Sequence, residues 1–253
     1  MSRELTSDIT WIHECYDHGD AHEHVSVYLI EESEGYIIVD TGSFYHRERI
    51  TREIKSEIGD KELRAIILSH SDYPHSANVG AFRDEWDDIE VFASCGSPAA
   101  QGLGTATKCN IGSSMDIIGR SFSFIDPPLA DRSHTAWIFD HETNALFAAD
   151  GFGTEHREGQ CSFTSREFEE GIPEEQIYRF HRDTLVWLRY VDPIQLRSAL
   201  ESILDEFGVE MICPVHGNPI IGTDIDRYLD RLTSAADRIS DEYDVERPKT
   251  ADD

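Results

Sequence analysis

The chain has 253 residues, of which 50 are acidic and 22 basic, giving a formal charge of −28 with histidine neutral. Such a surface repels phosphate backbones and anionic headgroups, which excludes nucleic acid and membrane surfaces as partners. An apolar fraction of 39% with 12 Phe, 9 Tyr and 4 Trp can anchor a core, which excludes a disordered acidic chain. Only four of the basic residues are lysines (Lys55, Lys61, Lys108, Lys249). That balance points to a halophilic cytoplasm, where salt screens self-repulsion within a few ångströms. The start, Met-Ser-Arg-Glu-Leu-Thr-Ser-Asp, is no basic-then-apolar leader, and no apolar run approaches the roughly 18 residues that span a bilayer. A cytoplasmic location is the expectation. The five cysteines, Cys15, Cys95, Cys109, Cys161 and Cys213, form no C-x-x-C pair and read as reduced thiols.

In chain order, Val25–Ile30 and Tyr36–Asp40 are β-rich runs flanking a polar Glu-Glu-Ser-Glu-Gly turn, the pattern of a hairpin. Asp40-Thr41-Gly42 closes the second strand. From Arg47 to Ile58 the spacing of Ile50, Ile54 and Ile58 predicts a helix with one apolar face. Ala65–Leu68 is a short buried strand that delivers the chain into Ser69-His70-Ser71-Asp72-Tyr73-Pro74-His75. A strand follows at Glu90–Ala93, a short helix start at Pro98–Leu103, and strands at Ser121–Ile125, Ala136–Phe139 and Ala145–Ala149. Residues 174–190 and 194–207 are predicted helical, the second between Pro193 and Gly208. A last strand, Met211–Pro214, ends at Val215-His216-Gly217, and a terminal helix runs from Arg227 to about Ser240. No repeat or low-complexity linker divides the chain, so one domain over 1–253 is predicted, with residues 241–253 a loose tail.

His70, His75, His134 and His216 each lie at or just beyond a predicted strand end, and Asp150 terminates a strand in the same way. Strand ends of a layered α/β fold converge on one rim, so these residues can meet although they are far apart in sequence. A lone histidine in a polar loop is by default a solvated ring. Several imidazoles and carboxylates at one rim instead suit a borderline divalent ion, Zn²⁺, Fe²⁺ or Mn²⁺.

The series His70-x-Asp72-x-x-His75, Ser133-His134-Thr135, Leu146-Phe147-Ala148-Ala149-Asp150 and Pro214-Val215-His216-Gly217, with Val39-Asp40-Thr41-Gly42 as a first turn, resembles the metallo-β-lactamase fold superfamily from about Val25 to His216. The resemblance implies an α/β chain folded as an αββα four-layer sandwich: two mixed β-sheets flanked by helices, with a dinuclear metal site at the rim. The usual H-x-H-x-D-H motif is altered, Asp72 standing at its second His and Pro74 at its Asp. A carboxylate there is similar to the H-x-E-x-D-H motif of flavodiiron proteins, which a small polar residue follows as Ser76 does here. Leu146 to His156 is likewise similar to the stretch around their bridging aspartate, and Trp11-Ile12 and Tyr28-Leu29-Ile30 fall where that family has strands.

Carried over, His70, Asp72 and His134 would hold one metal, His75 and His216 the other, with Asp150 bridging. Replacing an imidazole by a carboxylate hardens the first site, which favours iron, with manganese or zinc as alternatives. Pro74 donates nothing. Asp40 is a candidate acceptor for a ligand loop. Tyr73 is a candidate phenolic proton donor, and His24, with His22, is a candidate lining residue. His156 is placed to approach the site, whereas His13, His18, His46, His141 and His181 read as surface residues and Cys213 as core. The leading function is a diiron oxidoreductase or oxygen-sensing module for O₂ or NO. Only 37 residues follow His216, so no flavin is expected in this chain, and electrons would come from a separate redox donor protein meeting a homodimer. A zinc hydrolase of an ester or thioester is the alternative. A metal-free degenerate relative is the third reading.

Overall fold

The central strands are buried on both faces, and successive side chains alternate between two apolar layers. In a computed structural model, which describes residues 1–94 and 103–242, strand β4 (Gly35–Val39) sends Ile37 and Val39 to one face and Tyr36 and Ile38 to the other. Strand β5 (Leu63–Leu68) does the same with Ala65 and Ile67 against Ile66 and Leu68. The first sheet runs β1 (Ser2–Glu4), β2 (Ile9–His18), β3 (Ala21–Glu32), β4, β5, β6 (Glu90–Ala93) and β7 (Thr107–Lys108), antiparallel as far as β4 and parallel from β4 onward.

The second sheet has β8 (Ser113–Ile117), β9 (Arg120–Ile125), β10 (Trp137–Asp140) and β11 (Ala145–Phe147) in antiparallel sequence. It continues with β12 (Met211–Cys213), parallel to β11, and ends on β13 (Ile220–Ile221). Between the sheets lie Ile37, Val39 and Ile67 from one side and Ile138, Phe147 and Cys213 from the other. Outside the first sheet, α1 (Arg47–Ile58) buries Ile50, Ile54 and Ile58, and α3 (Val79–Glu85) buries Phe82. Three buried isoleucines contribute roughly 5–8 kcal/mol before entropy. Outside the second sheet, α4 (Glu174–Thr184), α5 (Pro193–Phe207) and α6 (Asp224–Glu242) cover Trp137, Phe139, Leu146 and Ile212. The helix–sheet–sheet–helix order is that of the metallo-β-lactamase fold.

Several boundaries differ from expectation. The 174–190 helix stops at Thr184: Leu185, at ψ 62°, leaves helical geometry, and the chain tightens into a 3-10 turn over Val186–Tyr190 that buries Leu188. Strand β2 is ten residues long and places His13 in the interior. His181 is buried as well, on the face of α4 shared with Ile177 and Phe180, so neither histidine is a surface residue. The terminal helix begins earlier and runs through 241–242. The helix start at Pro98 and the tail from 243 lie outside the described residues. Among the described residues no helix is long and apolar enough to cross a membrane.

Candidate metal centre

Parallel strands β4 and β5 in one sheet, and β11 and β12 in the other, carry their C-terminal ends to the same rim. Beyond β5 the chain passes Ser69 and His70 into α2 (Tyr73–Ser76), a single turn with Pro74 in its first positions, where a missing N–H costs nothing. His75 is held from both ends. The Thr41 amide and hydroxyl donate to its carbonyl at 2.7 and 2.9 Å, and its Nδ1 lies 2.9 Å from Asp40 Oδ2. Asp40 takes a left-handed φ of 58°, and its carboxylate also accepts from the Ser69 amide and hydroxyl at 2.9 and 2.8 Å. With Nδ1 committed, His75 Nε2 turns to Asp150 Oδ1 at 2.9 Å. This carboxylate-backed imidazole is the arrangement that orients a metal-binding histidine.

His216 repeats the pattern. Its Nδ1 donates to the His24 carbonyl at 2.8 Å and lies 2.9 Å from Glu23 Oε1, leaving Nε2 3.6 Å from Asp150 Oδ1. The rings of His70 and His75 lie 3.7 Å apart, and the donor atoms of His70, His75 and Asp150 all fall within 4.8 Å of one another, each residue buried. A second set at the same spacing joins His70 to Asp72 and Asp131, with Asp131 Oδ2 3.8 Å from His70 Nε2. Arg132 Nε donates to Asp72 at 2.8 Å.

Electrostatics fit a cation. His70 Nε2 is buried without a hydrogen-bond partner, while His75 Nε2 and Asp150 Oδ1 face each other at 2.9 Å; an unsatisfied buried polar atom costs about 1–3 kcal/mol, a cost that coordination to an ion offsets. Burial, then His75, lowers the His70 pKa to about 4, keeping that ring neutral and able to bind metal. Burial works against a charged His75, yet Asp40 and Asp150 together raise its pKa to about 10. Against burial, His75 and His216 hold Asp150 well below the carboxylate range. Burial, then Asp150, lifts Asp131 to about 6.

Of the residues expected from sequence, the fold brings together His70, Asp72, His75, Asp150 and His216. His134 is exposed and stands outside both donor sets, its Nε2 only 3.5 Å from the neighbouring Ser133 hydroxyl. Tyr73 is 49% exposed and lies edge-on to Tyr45. His24 is fully buried, with its ring on His156 at 4.0 Å and its carbonyl on His216. Sequence reasoning missed Asp131, Glu23 and Tyr16, whose phenol is pushed up by burial, then by Glu23 and Asp150. Asp131 carries no motif, and its position three residues before His134 was the only available signal.

The family model of the metallo-beta-lactamase superfamily matches residues 22–91. No curated protein matches the sequence. Among solved structures, a His-to-Asp variant of the flavo di-iron protein from Thermotoga maritima is similar at TM-score 0.79 and 16% identity, covering 93% of this chain and 61% of that one. The flavodiiron protein of Giardia intestinalis is similar at 0.74 and 14%, with 96% and 60% covered. Rubredoxin oxygen:oxidoreductase from Desulfovibrio gigas is similar at 0.69 and 16%, with 95% and 61% covered. This chain thus spans about three-fifths of the length of these proteins, and at such identities the likeness establishes the shared fold.

Proposed function

We propose that this rim holds a dinuclear metal centre that binds or reduces O₂ or NO. His70, Asp72 and Asp131 would surround one ion, His75 and His216 the other, with Asp150 shared between them. The observation that carries this reading is the convergence of buried donor atoms of His70, His75 and Asp150 within 4.8 Å of one another, with His70 Nε2 left without a hydrogen-bond partner. Asp131 takes the place that sequence reasoning gave to His134. Two carboxylates beside one imidazole make the first site hard and anionic, which favours iron or manganese over zinc. Asp40, Glu23 and the His24 carbonyl fix the ring orientations, as outer partners of metal-binding histidines do. A pair of ferrous ions held by these residues would supply electrons and open coordination positions for a diatomic ligand. Tyr16, whose phenol interacts with Glu23 and Asp150, takes the proton-donor role in place of Tyr73. The likeness to flavodiiron folds, and the name of the D. gigas protein, support the choice of oxygen chemistry with a redox protein as electron source.

The test is metal analysis of protein purified without chelator, followed by visible spectra after anaerobic reduction and after air. Iron above zinc, with a spectral change on adding air, is expected. Stoichiometric zinc accompanied by esterase turnover would replace this reading with a metallohydrolase.

A further inference from the structure

Away from the rim carboxylates, a second cluster of metal-capable side chains joins residues from two parts of the chain. Cys15 of β2, His156 and Cys161 each offer a donor atom within 4.8 Å of the other two, and His156 Nε2 lies 3.2 Å from Cys161 Sγ. Metal–sulfur bonds of about 2.3 Å and metal–nitrogen bonds of about 2.0–2.1 Å put the ligands of one tetrahedral ion roughly 3.5–3.8 Å apart. The three donors therefore need little movement to share an ion. We infer that Cys15, His156 and Cys161 form a mononuclear site for a thiophilic cation, Zn²⁺ or Cu⁺, separate from the His and Asp centre.

The backbone around the site is pinned before any ion arrives. His22 and His156 exchange backbone hydrogen bonds at 2.8 and 2.9 Å, clamping the His156 segment onto β3. The carbonyl of Cys161 accepts from His24 Nε2 at 2.8 Å, and the Asn218 amide donates to the carbonyls of Gln160 and Phe163 at 3.1 and 2.7 Å. Such preorganisation spares the site the entropy of ordering a loop on binding. His156 is buried, with its Nε2 turned to Cys161 Sγ. Both cysteines are half-buried, which leaves an access path for an ion. Soft thiolates select Zn²⁺ or Cu⁺ over the harder ions that the carboxylate-rich rim prefers. His24 forms the wall between the sites, its ring against His156 and its carbonyl on His216.

The probe is Co²⁺, added to the reduced protein after chelator treatment. Cobalt held by thiolates shows a near-ultraviolet sulfur-to-metal charge-transfer band, which a site of His and Asp cannot produce. One equivalent of that absorption is expected in the wild-type protein and in His75→Ala, and its loss in Cys15→Ser and Cys161→Ser. A variant-free measurement accompanies it: Zn²⁺ should slow alkylation of Cys15 and Cys161 by about tenfold or more, read by mass spectrometry. The inference is overturned by absence of the band in the wild-type protein, by its persistence at full intensity in the double Cys-to-Ser variant, or by unchanged alkylation. Formation of a Cys15–Cys161 disulfide in preference to zinc binding, seen as a mass loss of two hydrogens, also overturns it. Because the band reports thiolate ligands alone, the outcome is independent of whether the rim binds iron.

Discussion

Asp40 holds the geometry of His75 without reaching the metal position, which makes Asp40→Asn an informative perturbation. Its Oδ1 accepts from the Ser69 amide, while its Oδ2 accepts from the Ser69 hydroxyl and faces His75 Nδ1, all at 2.8–2.9 Å in a buried setting. Asparagine tolerates the φ of 58° that Asp40 occupies, so the turn survives. The amide, however, offers one acceptor where the carboxylate offers two, so its NH₂ must confront a donor whichever way it turns. One charge-assisted hydrogen bond lost is worth about 1.5–3 kcal/mol, and loss of such an outer partner weakens metal binding about 10–100-fold. The two magnitudes agree, since 1.4 kcal/mol corresponds to a factor of about ten. Competition against a chromogenic chelator measures the affinity, with circular dichroism as the check on folding. An affinity within about twofold of wild type in a folded variant would refute the role given to Asp40.

Further predictions concern ligand choice, acid stability and packing. Asp131→Ala should lower the metal content by up to one ion per chain, whereas His134→Ala should leave it unchanged; the reverse result would restore His134 to the site. The neutral His181, buried with its Nδ1 on the Ile177 carbonyl, has a folded pKa lowered by burial to about 4 from 6.5. Its contribution to stability is therefore complete above pH about 6.5 and is lost as pH falls toward 4, about 3 kcal/mol in all. In urea titrations His181→Leu should lose correspondingly less stability over that range, and parallel profiles for the two proteins would contradict the assignment. A Cβ on Gly153 would lie 2.1 Å from Phe180 Cε1, and Phe180 is stacked along His216. Gly153→Ala should thus destabilise by about 1–3 kcal/mol and reduce metal occupancy; an unchanged melting temperature would show that Phe180 yields freely.

The rim histidines were legible because each follows a strand. His70 and His75 come directly after the apolar run Leu63–Leu68, and His216 lies just beyond Met211–Cys213. The helix over Arg47–Ile58 was legible from three isoleucines at four-residue spacing. His181 was misjudged although the same periodicity, running through Ile177, placed it on the buried face. His13 was misjudged because β2 mixes polar and apolar residues, and only its neighbours on both sides reveal it as an interior strand.

Local spacing dictated the elements, the layering and the residues delivered to the rim, because strand and helix periodicities are imposed by backbone geometry within a few residues. The choice of Asp131 over His134 beside His70 depended on the course of an irregular loop, in which no repeating pattern sets where a side chain points. The meeting of Cys15 with Cys161 likewise arises from a β2–β3 register and from a loop clamped by His22 and His156. Contacts between distant segments are set by the packing of the whole chain, so only the folded structure could bring those thiols and that carboxylate to their partners.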